Sequence, residues 1–233
     1  MPAFPKLILR QEWAGIGLAM IAAYVDGFGL LTFRTYLSFM SGNTTQTGCG
    51  IGQWEIAMVA PSALAILFFV VGVIAGNVLR LAVGHDSRRL TFPGISALLF
   101  LVVCDLQFGW FHNFVRIALI SLGMGAMNTT VSNVGNEQLN IAFVTGTLNR
   151  FAKHVALAVM RIPLEDSQGS WDTQLRRAFL QAWVWTGFLG GAVLAGIVTP
   201  RLAGWTLTPP AIALLISAFF SRAQVTRSPR NAN

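Results

Sequence analysis

Charge is what this chain lacks most. Of its 233 residues only 11% are Asp, Glu, Lys or Arg, against about 25% in an ordinary soluble domain. So little charge excludes a free soluble globule, and 54% hydrophobic residues with a mean hydropathy of +0.61 point to an integral membrane protein. Cysteine is nearly absent. Cys49 and Cys104 both lie in or near apolar segments and share no C-x-x-C spacing, so neither a structural disulfide nor a metal site is expected. The three histidines, His85, His112 and His154, sit on scattered segments. A Walker loop, H-E-x-x-H, G-x-S-x-G and a dinucleotide fingerprint are all missing. The chain therefore reads as a non-enzyme with no cofactor.

Acidic residues are scarce beside basic ones, 9 against 16, for a net charge of +7. In a soluble protein that balance would suggest nucleic acid. Here the basic residues lie between apolar runs, where they anchor helix ends and set topology, so the expected partner is the lipid bilayer.

What is present is a series of apolar runs. Six read as membrane spans, each of which needs roughly 20 residues when it crosses unaided: 13–33, 56–79, 90–110, 178–198 and the shorter 114–131 and 207–220. The first follows a short basic start without a clear cleavage site and is read as a retained span. Two further stretches, 36–53 and 140–160, are apolar enough to enter a bilayer but too polar for ordinary spans. The expected fold is all-α, a polytopic membrane helix bundle of six spans plus two re-entrant or broken polar helices, in a single transmembrane domain over 1–233.

The halves resemble each other. FMSGNTTQ (39–46) aligns with FVTGTLNR (143–150), GVIAG (72–76) with AVLAG (192–196), and FPGISALL (92–99) with TPPAIALL (208–215). Three matches in one order suggest a duplication, about 13–110 and 114–221, although small residues recur in any helix bundle. If both polar stretches dip in and return, Lys and Arg divide 13 against 3 between the two sides; if both cross, the division is 9 against 5. The first is more asymmetric. It puts both termini in the cytoplasm and makes the repeats inverted.

FMSGNTTQTGCGIGQ (39–53) carries neither the charge of a loop nor the Leu, Ile and Val of a span. Unpaired backbone groups cannot face lipid, so an unwound segment at membrane depth belongs inside protein or against water. Gly42 permits unusual backbone angles, and Ser41, Asn43 and Thr44 supply hydrogen bonds without charge. A helix starting near Ser41 and Gly42 would aim free N–H groups at whatever lies there. Its counterpart would start near Thr145, Gly146 and Thr147. Two such ends meeting at mid-depth would form a polar site; the alternative is close helix packing. Asp26, inside the first span, must pair or protonate. It is a candidate for proton coupling or solute contact, or for a structural bond to the polar stretch, with Arg34 as a candidate partner. Asn128 holds the matching place in the fourth span. Arg150, with Lys153 and His154, either draws an anion inward or snorkels to the interface.

YVDGFGLLTF, FMSGNTTQTG, GMGAMNTTVS and FVTGTLNRFA together resemble the YoaK-like family of small bacterial membrane proteins, a domain of unknown function (1275). The resemblance covers nearly the whole chain. It implies a bacterial inner-membrane protein of this size and names no substrate. The leading expectation is a transporter or permease for a small-molecule or ion substrate, with a homodimer as a possible assembly. The rivals are a passive channel and a non-transporting scaffold or sensor.

Overall fold

The computed structural model describes residues 6–84, 87–130, 133–134, 137–138, 144–167 and 169–225. Its elements are α1 (Lys6–Phe33), α2 (Met40–Gln53), α3 (Ile56–Val83), α4 (Ser87–Phe108), α5 (Asn113–Asn128), β1 (Asn133–Val134), β2 (Glu137–Gln138), α6 (Val144–Val159), α7 (Gln174–Leu202), a 3-10 turn (Ala203–Trp205) and α8 (Thr208–Val225). The two short strands form one antiparallel pair, Asn133 opposite Gln138. The molecule is an all-α membrane helix bundle.

Four helices are long and apolar enough to cross a membrane: Gln11–Phe33, Ile56–Val83, Ser87–Phe108 and Gln174–Trp205. Thr208–Phe219 is a shorter apolar helix, and α5 has 16 residues, about 24 Å. The run expected over 114–131 stops being helical at Asn128. Leu67, Val70, Ile74, Val78 and Leu81 stand exposed along α3, a face made for acyl chains rather than water.

Two pairings dominate the packing, α1 with α7 and α3 with α5. Both depend on glycine at the crossing. A Cβ on Gly191 would lie 2.1 Å from the Met20 carbonyl oxygen, and one on Gly72 would lie 2.0 Å from that of Leu122. No side chain fits there, so the backbones touch, as in small-residue membrane interfaces. Contacts advance together along each pair, Gly187 to Ile16 and Gly191 to Met20, Gly72 to Leu122 and Gly76 to Ala126. Each pair is therefore parallel.

The other contacts fix the remaining directions. Gly204 lies against Gln107 and Ser96 Oγ donates to the Ala211 carbonyl, so α4 ends beside the end of α7 and runs opposite α8. Arg116 reaches Asp105 and Gly123 faces Ile95, so α5 runs opposite α4. Helices α1, α4 and α7 thus run one way and α3, α5 and α8 the other. Between them lies an apolar core in which Phe28, Leu99, Ile120, Met124 and Leu214 are fully buried.

The polar stretch at 36–53 differs from expectation. Only the segment up to Phe39 is non-helical, and 40–53 is a regular α-helix. Its four glycines should weaken a helix by about 1 kcal/mol each. Thr44 Oγ1 donates to the Met40 carbonyl and Thr45 Oγ1 to that of Ser41, which satisfies both hydroxyls along the helix, and packing on α3 holds it. Gly50 also lets α3 approach, because a Cβ there would lie 2.8 Å from Val59. Helices α2 and α6 end alike, with Trp54 (φ 59) and Arg161 (φ 56) in the left-handed region. Glu55 N–H bonds back to Gly50 and Ile162 N–H to Leu157, closing the last carbonyls of each helix.

Candidate functional site

The site forms where α1 meets the start of α2. Asp26 Oδ1 accepts three consecutive backbone N–H groups, from Leu37 (2.8 Å), Ser38 (2.6 Å) and Phe39 (3.2 Å). Its Oδ2 accepts the Ser38 hydroxyl at 2.7 Å. Successive N–H groups converging on one oxygen form an anion nest, here filled by the protein's own carboxylate. Asp26 is buried, and these bonds replace the hydration it gives up.

Asn43, from the first turn of α2, holds the same loop from the other side. Its Oδ1 accepts from Tyr36 N–H (3.0 Å) and Thr35 Oγ1 (3.1 Å), and its Nδ2 donates to the Tyr36 carbonyl (2.7 Å). One amide thus satisfies both backbone groups of Tyr36, as a neighbouring strand would. It is fully buried, at 0% exposure. Gly42 completes the arrangement. A Cβ there would fall 2.6 Å from the Phe39 ring and 2.8 Å from that of Tyr36, two rings packed edge to face at 5.2 Å. Residues 34–39 are therefore fastened to α1 by Asp26 and to α2 by Asn43.

The other sequence-selected residues fall in separate places. Arg34 has an exposed side chain and is not among the groups on Asp26; its carbonyl accepts from Gln46 Nε2 at 3.5 Å. The Asp26–Arg34 pair considered from sequence is replaced by backbone donors, which lie closer than an exposed guanidinium. Ser41 and Thr44 are exposed on the outer face of α2, while Thr47 Oγ1 meets Ser62 Oγ at 2.8 Å to tie α2 to α3. Asn128 is the last residue of α5 and half-buried; 140–143, the start of the polar stretch expected over 140–160, lies outside the described residues. In α6, Thr145 is exposed, Gly146 and Arg150 are half-buried, and Thr147 is buried. Nearby, His154 Nδ1 lies 2.7 Å from Gln174 Oε1 on α7.

The two polar helices do not meet as expected. Helix α2 packs on α3 and α6 packs on α7, each against its own following helix. They do share a pattern: the buried residues are Asn43 and Gly50 in α2, and Thr147 and His154 in α6. Each pair is two turns apart, and the match preserves the alignment of 39–46 with 143–150.

Sequence reasoning missed Ser38 and Thr35, which lie just before the Gly/Thr stretch and look like ordinary loop residues. It also left the partner of Asp105 unassigned. That carboxylate is fully buried, accepting from Arg116 Nε at 2.5 Å and Phe111 N–H at 2.6 Å across the α4–α5 turn.

Long apolar helices locked by glycine crossings, with an internally hydrogen-bonded carboxylate, define a multi-pass membrane protein. Residues 14–220 match a family model described as "Protein of unknown function (DUF1275)". The chain belongs to that family. It is 26% identical over 219 residues to UPF0700 transmembrane protein RA0705 of Rhizobium meliloti (strain 1021), covering 91% of this chain and 88% of that protein. No solved structure matches the chain.

Proposed function

We propose that this protein is an inner-membrane permease for a small polar solute, built from two inverted repeats and working by alternating access. The observation that carries the reading is the crossed pairing of helices. The first helix of each half packs in parallel against the third helix of the other, α1 on α7 and α5 on α3. The contacts correspond closely: Gly191 sits over Met20 as Gly72 sits over Leu122. This pairs Gly72 with Gly191, one residue from the match read off the sequence. Opposed directions in the two halves support inversion, because α1 and α4 run one way and their counterparts α5 and α8 the other.

Six crossings follow if α5 and α8 span the membrane with the four longer helices. The crossings then alternate in direction along the chain. Helix α2, 14 residues or about 21 Å long, starts below the end of α1 at Asp26 and returns to the same side. The division of Lys and Arg, 13 against 3, favours cytoplasmic termini.

Half-length helices and inverted repeats are recurrent parts of secondary transporters. In this reading Asp26 and Asn43 are positioning residues. The outer face of α2, with Ser41, Thr44 and Thr45 exposed, lines the solute path. A second copy of the chain supplies the facing wall. The complete internal use of Asp26 favours a second reading, a non-transporting scaffold whose polar helices serve assembly.

A thermal-shift screen of small polar solutes on purified protein, followed by uptake of each stabilising solute into proteoliposomes, separates the two. A permease shows saturable uptake of at least one solute that raises Tm; a scaffold shows none.

A further inference from the structure

Helix α6 carries cations that form no ion pair among the described residues. Arg116, Arg176 and Arg177 are each held in ion pairs, with Asp105, Glu12, and Asp166 with Asp172 respectively. Arg150, Lys153 and Arg161 form no ion pair among the described residues. The first two lie one turn apart on α6, and Arg161 stands just past its end. There it rims a cavity of about 560 Å³ whose lining includes Ile162, Leu164 and Leu175.

The rest of α6 shows what those cations border. Thr147 and His154 turn inward toward α7. At 3.6 residues per turn, Leu148 and Val159 lie about 110–130° around the helix from that inward face, where they are 43% and 78% exposed. Arg150 and Lys153 lie on the other flank, Arg150 nearly opposite Leu148 and Val159. An apolar flank opposite a basic one suits a helix at the boundary between acyl chains and headgroups.

We propose that the basic flank of α6, with Arg150 and Lys153 at its centre and Arg161 at its end, binds the phosphate headgroup of an anionic phospholipid. Acyl chains lie against Leu148 and Val159. The charge match selects anionic over zwitterionic lipid. The proposal rests on membrane embedding alone and is independent of solute transport.

The test uses the purified full chain in lipid nanodiscs. Phosphatidylglycerol is titrated into phosphatidylcholine, with Tm and lipid retained in native mass spectrometry as readouts. Phosphatidylglycerol is expected to raise Tm and remain bound. The neutral pair Arg150→Gln with Lys153→Gln should weaken retention on the order of tenfold. The charge-preserving pair Arg150→Lys with Lys153→Arg should keep it. If the neutral pair does not fold, Arg161→Gln, outside the helix, is expected to show a smaller loss of retention. Equal retention of both lipids by the wild type, or undiminished retention by folded neutral variants, overturns the proposal. A Tm gain from inorganic phosphate matching that from lipid also overturns it, assigning the flank to a soluble anion.

Discussion

Asp26 holds Ser38 twice, taking its N–H on Oδ1 at 2.6 Å and its hydroxyl on Oδ2 at 2.7 Å. A carboxylate inside a spanning helix thereby becomes the fastener of a polar loop. Replacing it by Ala strands three N–H groups, and Asp26→Ala should cost about 3 kcal/mol or more, at about 1–3 kcal/mol for each buried donor left unpaired. Asp26→Asn keeps one acceptor oxygen and should cost about 1–2 kcal/mol. Thermal unfolding in detergent measures both. A carboxylate kept free for proton coupling would leave Tm unchanged in either variant.

Asn43→Leu should be nearly as damaging as Asp26→Ala. It leaves the N–H and carbonyl of Tyr36 without their side-chain partner, at about 1–3 kcal/mol for each buried group. Asn43→Asp keeps the acceptor and loses the donor, so its Tm should fall between wild type and Asn43→Leu. Equal Tm values for all three would remove Asn43 from the fastening role.

The glycine crossings give opposite outcomes on different helices. Gly191→Ala puts a methyl 2.1 Å from the Met20 carbonyl oxygen, whereas a Cβ on Gly48 has nothing within 4 Å. The first should destabilise by about 1–3 kcal/mol or more through forced separation of α1 and α7. The second should be neutral or gain about 1 kcal/mol from helix propensity. Similar Tm changes for both would contradict the backbone contact.

Asp105 and Arg116 should behave as one unit. Removing either partner leaves a poorly solvated charge, worth about 3–5 kcal/mol. Asp105→Asn with Arg116→Gln should cost clearly less than the sum of the single changes. A double-mutant cycle on Tm measures the coupling, and simple additivity would show that the pair is not coupled.

Much of the bundle was legible because apolar runs of spanning length leave few alternatives. The runs at 13–33 and 56–79 became α1 and α3, and α2 starts at Met40, beside the Ser41–Gly42 start read from sequence. The bonding around Asp26 was not legible in detail. Its donors lie 11 to 13 residues away, and only the path of 34–39 brings them back. Composition also misjudged α2. Four glycines suggested an unwound segment, but packing against α3, closest at Gly50, keeps it regular. The facing of α2 and α6 could not be read because a polar stretch does not specify which neighbour it packs on.

Solute uptake by proteoliposomes, compared between wild type and Asp26→Asn at equal folded protein under an imposed pH gradient, is the most direct measurement. The expected result is saturable uptake by both, at similar rates per folded protein. Folded wild-type protein that moves none of the solutes that stabilise it would contradict the permease. Folded Asp26→Asn that loses uphill uptake alone would return the proton to Asp26.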